Sequence, residues 1–161
     1  MYKLTENEIA DLIIAYFKKN PKWHIFKKAD PTTKQHGSDI VIKGGTANGE
    51  VYTIECKGKS YSKSHKAINK EGWLNALGQL ITRMTPSLSI KNGKYKGSVN
   101  RAYKYGLGLY WIGAQVALRR IPRAVAKALN LYVFSVNEKG YVKKFSPKNF
   151  GTKYQDREFF E

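Results

Sequence analysis

Asp39, Glu55 and Lys57 are two carboxylates and an ammonium that neighbouring strands can gather at one point. Alternate residues of a strand face opposite sides. Over Val51 to Lys57, Thr53, Glu55 and Lys57 therefore share one face, while Tyr52, Ile54 and Cys56 share the other. Asp39 opens the preceding strand, and the turn sequence Gly44-Gly45-Thr46-Ala47-Asn48-Gly49 can fold the two strands together. The product is Asp39 beside Glu55, with Lys57 next to both. Such a set suits phosphodiester hydrolysis. Mg²⁺ or Mn²⁺ is a hard cation that prefers oxygen and keeps several waters when held by one or two carboxylates. Asp39 and Glu55 can supply those ligands, and the backbone carbonyl of Cys56 lies within reach. The cation polarises the phosphate and acidifies a bound water. Lys57 can position that water or stabilise charge developing at phosphorus. By composition about one acidic residue in seven would have Lys two positions on; of the 12, only Glu55 does. The competing reading is an ordinary exposed cross-strand ion pair.

The elements that must position these groups are visible in the apolar pattern. Thr5 to Lys19 predicts a helix, with Ile9, Leu12, Ile13, Tyr16 and Phe17 on one face. Thr5 with Glu8 forms a capping box, and Asn20-Pro21 ends the helix. Strands are expected over Trp23 to Lys28, Ser38 to Lys43 and Glu50 to Lys57, with Asp30 to Gly37 as loop. Lys59 to Lys70 reads as a polar, basic loop, and Gly72 to Thr85 as a helix. Ser87 to Tyr103 reads as a long polar stretch of the kind that tends to carry function. Tyr105 to Tyr110 is a strand candidate, Gly113 to Asn130 is helical with Pro122 splitting it, and Leu131 to Val136 and Tyr141 to Phe145 are strands. Pro147 to Glu161 carries no clear pattern. The alternation predicts one α/β or α+β domain spanning residues 1–161, a central mixed sheet flanked by helices.

Charge indicates the partner. Lys plus Arg number 29 against 12 Asp plus Glu, a formal net charge of +17. No acidic residue occurs from Gly72 to Asn137, where Arg83, Lys91, Lys94, Lys96, Arg101, Lys104, Arg119, Arg120, Arg123 and Lys127 all lie. A solubilising surface mixes signs; one-signed charge suits phosphate neutralisation. Nucleic acid is the first expectation, ahead of an anionic membrane or an acidic protein. Cys56 is the only cysteine, so no intramolecular disulfide forms, which fits a reducing cytoplasm. The start of the chain lacks the pattern of a signal peptide, and no apolar run is long enough to span a bilayer. His24, His36 and His65 have no metal-ligand spacing with one another or with Cys56. Gly106 and Gly108 form no phosphate cradle.

The runs Gly37-Ser38-Asp39-Ile40-Val41-Ile42 and Ile54-Glu55-Cys56-Lys57 resemble the PD-(D/E)XK nuclease superfamily, whose members include restriction endonucleases, archaeal Holliday-junction resolvases and RecB-type nucleases. The resemblance covers roughly residues 5–136; the leading proline of the motif is Ser38 here. It implies a restriction endonuclease-like core and a Mg²⁺- or Mn²⁺-dependent DNA nuclease. It also implies a first-helix glutamate near the metal, for which Glu8 is the first candidate and Glu6 the reserve. Gln79, in Ala76-Leu77-Gly78-Gln79-Leu80, is similar to the glutamine motif of RecB-like members, whose tyrosine four positions later is Arg83 here. A homodimer follows from the same resemblance.

Expected nucleic-acid contacts are Lys59, Lys63 and Lys66 after the catalytic strand, and Lys94, Lys96 and Arg101 interleaved with Tyr95 and Tyr103. Arg119, Arg120 and Arg123, in or beside a helix, are candidates for a further phosphate clamp, with a solvent-facing role the equal alternative. The substrate would be duplex or branched DNA, the latter as for a Holliday-junction resolvase. The alternative is a non-catalytic basic nucleic-acid-binding module. A membrane-surface protein is more distant.

Overall fold

The computed structural model describes residues 4–29, 39–44, 49–58, 65–84, 89–91, 94–96 and 103–160; side chains of 65–71, 89–91 and 94–96 lie outside the description. The first helix, α1 (Glu6–Lys18), starts at Thr5 because the box predicted there forms. The Glu8 N–H donates to Thr5 Oγ1 at 3.2 Å, and the Thr5 N–H donates to Glu8 Oε2 at 2.7 Å. Ile9, Ala10, Ile13, Ile14 and Phe17 are buried on its inner face, with Leu12 and Tyr16 partly so.

Strands β1 (Trp23–Lys28), β2 (Ile40–Gly44) and β3 (Val51–Lys57) follow as an antiparallel run. The β1–β2 register slips between Ile25 and Lys27, and Phe26 stands outward there with Lys43 Nζ 3.6 Å from its ring centre. Next comes α2 (His65–Thr82), then a separate hairpin of β4 (Ser89–Lys91) and β5 (Lys94–Lys96). Strand β6 (Tyr103–Tyr110), helices α3 (Trp111–Arg120) and α4 (Arg123–Ala128), and strands β7 (Leu131–Val136) and β8 (Val142–Phe145) complete the order. Two short 3-10 turns, Pro147–Asn149 and Asp156–Phe159, lie in the tail.

The main sheet has six strands in the order β1-β2-β3-β6-β7-β8. Strands β3, β6 and β7 are mutually parallel and the outer pairs antiparallel, so the sheet is mixed. The protein is an α/β fold with helices on both faces. One core gathers α1 with Ile40, Ile42, Ile54, Cys56 and Phe134; the other gathers α2, α3 and α4 with Leu107, Leu109, Leu131 and Val133. The two glycines of β6 have a packing role. A Cβ at Gly108 would lie 2.7 Å from both Cys56 Sγ and Ile13 Cδ1, and one at Gly106 would lie 2.9 Å from Ile54 and Phe134. Their bare backbone lets α1 press onto the middle of the sheet.

Two expectations are corrected. Helix α2 begins at His65, not Gly72; residues 65–71 hold only Ala67 and Ile68 as apolar positions and show no apolar repeat, the signal on which the boundary rested. The stretch 87–103 contains two short antiparallel strands, with Lys91 paired to Lys94; the Asn92-Gly93 that links them in the sequence lies outside the described residues. Asn-Gly is a strong two-residue hairpin signal, masked here by the surrounding polar residues. No helix among the described residues is long and apolar enough to cross a membrane.

Candidate functional site

Strand alternation holds in β3. Tyr52, Ile54 and Cys56 are buried toward α1, and Lys57 is part-exposed on the face it shares with Glu55. The β2–β3 register pairs Ile40 with Ile54 and Val41 with Thr53; the same register continued by one step would set Asp39 opposite Glu55. Directly opposed residues share a face. Asp39 is fixed by two backbone bonds. Its side-chain Oδ2 accepts from the Cys56 N–H at 2.7 Å, and its carbonyl accepts from the Ala29 N–H at 2.8 Å. Burial pushes the Asp39 carboxyl above the ordinary aspartate value and Glu6 adds to the rise, while the Cys56 N–H, Lys57 and Arg83 oppose it. The Cys56 thiol is pushed well up by burial and is a core group, not a nucleophile.

Glu55 is 2% exposed, and its carboxylate forms an ion pair with Arg83 at the end of α2. Lys57 Nζ donates to Glu6 Oε1 at 3.0 Å. The acidic group that α1 brings to the site is thus Glu6, the reserve candidate. The Glu8 carboxylate is turned to Thr5, accepting from both its N–H and its hydroxyl at 2.7 and 2.9 Å. Gly58 explains the placement of Glu6. A Cβ there would lie 2.5 Å from the Thr5 carbonyl carbon and 2.6 Å from the Glu6 nitrogen. Only a bare residue after Lys57 lets the start of α1 abut the end of β3.

Glu6, Asp39, Glu55, Lys57 and Arg83 thus form one cluster, three carboxylates against two cations. Among the described residues no group of three or more His, Cys, Asp or Glu is gathered so that it could hold a metal ion; Glu55 and Glu6 are each turned to a cation and Asp39 to an amide. The donor chemistry still fits a hard divalent cation. All three donors are carboxylate oxygens, Glu55 buried and Asp39 part-buried, and they outnumber the two cations at one point of a chain whose net charge is +17. Burying carboxylates without matching positive charge is unfavourable, and a divalent cation would supply it.

A cleft of about 410 Å³ adjoins the cluster, lined by Glu6, Lys57, Gly58, Gly72, Leu74, Asn75, Gly78 and Gln79. Gln79 therefore stands beside Lys57 across the cleft, on the exposed side of α2.

The other predicted contacts are scattered. Lys59, Lys63 and Arg101 lie outside the described residues, and Lys66, Lys94 and Lys96 lie in described elements without described side chains. Helix α3 leaves the end of β6 where Leu109 pairs with Lys57 and runs back toward the start of β7. Ten residues of helix span about 15 Å, so Arg119 and Arg120, exposed in its last turn, lie toward the opposite end of the sheet. Arg123 Nε donates to the Phe150 carbonyl at 3.2 Å and ties the tail down. Three cations gather at that far end, of which only Lys104 was named from the sequence, as one of the basic residues of the acid-free stretch, and none as a nucleic-acid contact. Lys104, beside Tyr52 and Tyr132, lies near Lys22 and Lys144, and burial with these two like charges pulls the Lys144 ammonium below its ordinary value. They come from the turn before β1, from β6 and from β8, so no local motif announces them.

No family model, curated protein or solved structure matches this chain.

Proposed function

We propose that the protein is a metal-dependent DNA nuclease of restriction endonuclease-like type. The observation that supports the reading is the hydrogen bond that the Cys56 N–H donates to Asp39, which ties the carboxylate just before β2 to the backbone between Glu55 and Lys57. Asp39 and Glu55, with the Cys56 carbonyl, would hold Mg²⁺ or Mn²⁺, and Glu6 takes the role first given to Glu8. The bound cation would polarise the phosphate and generate hydroxide from water. Lys57, released from Glu6, is placed to steady the attacked phosphate. Gln79 faces the substrate from α2. The basic surface, including Lys22, Lys104 and Lys144, supplies phosphate contacts that position the strand. A dimer would place two such centres on opposite strands.

The test is cleavage of a panel of linear, single-stranded and four-way-junction DNAs in Mg²⁺, Mn²⁺ and EDTA, with wild type and Glu55→Ala. Cleavage that is lost in EDTA and in the variant supports the nuclease, and preference for the four-way junction would make it a resolvase. Tight, salt-sensitive binding without cleavage of any substrate in either metal would replace it with a non-catalytic binding module.

A further inference from the structure

The cleft beside Lys57 has a built character that the metal cluster does not require. Asn75, Gly78 and Gln79 lie at helical spacing along one side of α2, facing Glu6, Lys57 and Gly58. Asn75 and Gln79 each offer an amide donor and an amide acceptor, the pairing that reads base edges. Leu74, 48% exposed, adds an apolar surface next to them. Between the two amides is Gly78. A Cβ there would meet nothing within 4 Å. Glycine inside a helix weakens it, and no packing contact demands it at this position. What its bareness does is keep the α2 wall of the cleft low.

The volume restricts the occupant. About 410 Å³ is near the lower end of small-ligand pockets. That space accommodates one nucleotide rather than a stacked pair of bases. The net charge of +17 favours a polyanion, and Lys57 at the cleft wall, once released from Glu6, would reach the phosphate of a bound nucleotide.

We propose that this cleft holds one unpaired nucleotide of the DNA strand, read by Asn75 and Gln79 and admitted by Gly78. The substrate class is then DNA with a bulged, flapped or otherwise unstacked base, which escapes the energetic cost of base extrusion. Placing that nucleotide next to the phosphate under attack rests on the nuclease reading; the pocket itself is read from the cleft.

The test is binding in EDTA, where no cleavage occurs, by fluorescence anisotropy. The probes are a labelled duplex, the same duplex with one unpaired nucleotide, and the single strand. Wild type is expected to bind the probe with the unpaired nucleotide about tenfold more tightly than the perfect duplex. Gly78→Trp fills the cleft and is expected to abolish that difference, Gly78→Ala to keep it, and Asn75→Ala to reduce it. Thermal melting verifies that each variant is folded. Equal binding of both probes by wild type, or a preference surviving in folded Gly78→Trp, overturns the pocket. The two readings separate cleanly. The preference without cleavage in either metal keeps the pocket and removes the nuclease, while metal-dependent cleavage without the preference does the reverse.

Discussion

Gly58 and Thr5 touch backbone to backbone: a Cβ on residue 58 would lie 2.5 Å from the Thr5 carbonyl carbon. This contact joins the end of the strand bearing Glu55 and Lys57 to the start of the helix bearing Glu6. Both neighbours are backbone and cannot swing aside, so Gly58→Ala must displace the first turn of α1. Overpacking of this kind costs about 1–3 kcal/mol. The variant is expected to unfold at lower urea than wild type, and to lose cleavage beyond what the loss of folded protein explains. Unchanged urea midpoint and unchanged cleavage would show that the two segments are not held together as described.

Glu6 and Glu8 should divide stability from activity. The Glu8 carboxylate completes the cap on Thr5, so Glu8→Ala is expected to cost about 1 kcal/mol of stability with little effect on cleavage by the folded fraction. Glu6 is half-exposed and bonded to Lys57. Glu6→Gln is expected to change stability by less than about 0.5 kcal/mol and to lower cleavage about 10- to 100-fold. Urea titrations and single-turnover cleavage of both variants decide it. The reverse pattern would return the catalytic role to Glu8.

Arg83 compensates the buried charge of Glu55. Removing one partner of a buried pair leaves the other uncompensated, at a cost of about 3 kcal/mol. Arg83→Ala is therefore expected to be strongly destabilised in EDTA. Because a divalent cation would restore the missing charge, Mg²⁺ should raise the melting temperature of Arg83→Ala by more than it raises that of wild type. Equal metal shifts in the two proteins would argue against a metal at Glu55.

Glu50 accepts from Lys104 Nζ at 2.6 Å, and this bond holds its carboxyl below the ordinary glutamate value of 4.5. A depressed folded value means that the contribution is complete above the unfolded pKa and is lost as pH falls through the folded one. Glu50→Gln is expected to lower stability at neutral pH by up to about 1 kcal/mol, since the pair is part-exposed. The difference from wild type should shrink as pH falls below 4.5. Urea midpoints across that range check the sign, and a difference that grows toward acid would contradict it.

Much of the arrangement was legible because it is local. Alternation along Val51 to Lys57 sorts Glu55 and Lys57 from Ile54 and Cys56 in any strand. The Thr5–Glu8 cap needs only one helical turn, and the split at Pro122 only the geometry of proline. The same local information left Glu6 and Glu8 both open for the site, two residues apart on one helix. It also read Gly106 and Gly108 only for what they do not form.

What the sequence determined by itself was the set of chemical groups, most of the strands and helices that carry them, and a strongly positive net charge, since each follows from side-chain type or a repeat over a few residues. Tertiary structure alone decided that Glu6 meets Lys57, that Arg83 closes on Glu55, that Gly58 admits the start of α1, and that Asn75, Gly78 and Gln79 face a cleft. The reason is physical. Those relationships depend on how closely two separately formed elements approach, and that distance is set by packing of the whole sheet between its helices rather than by any pattern along the chain.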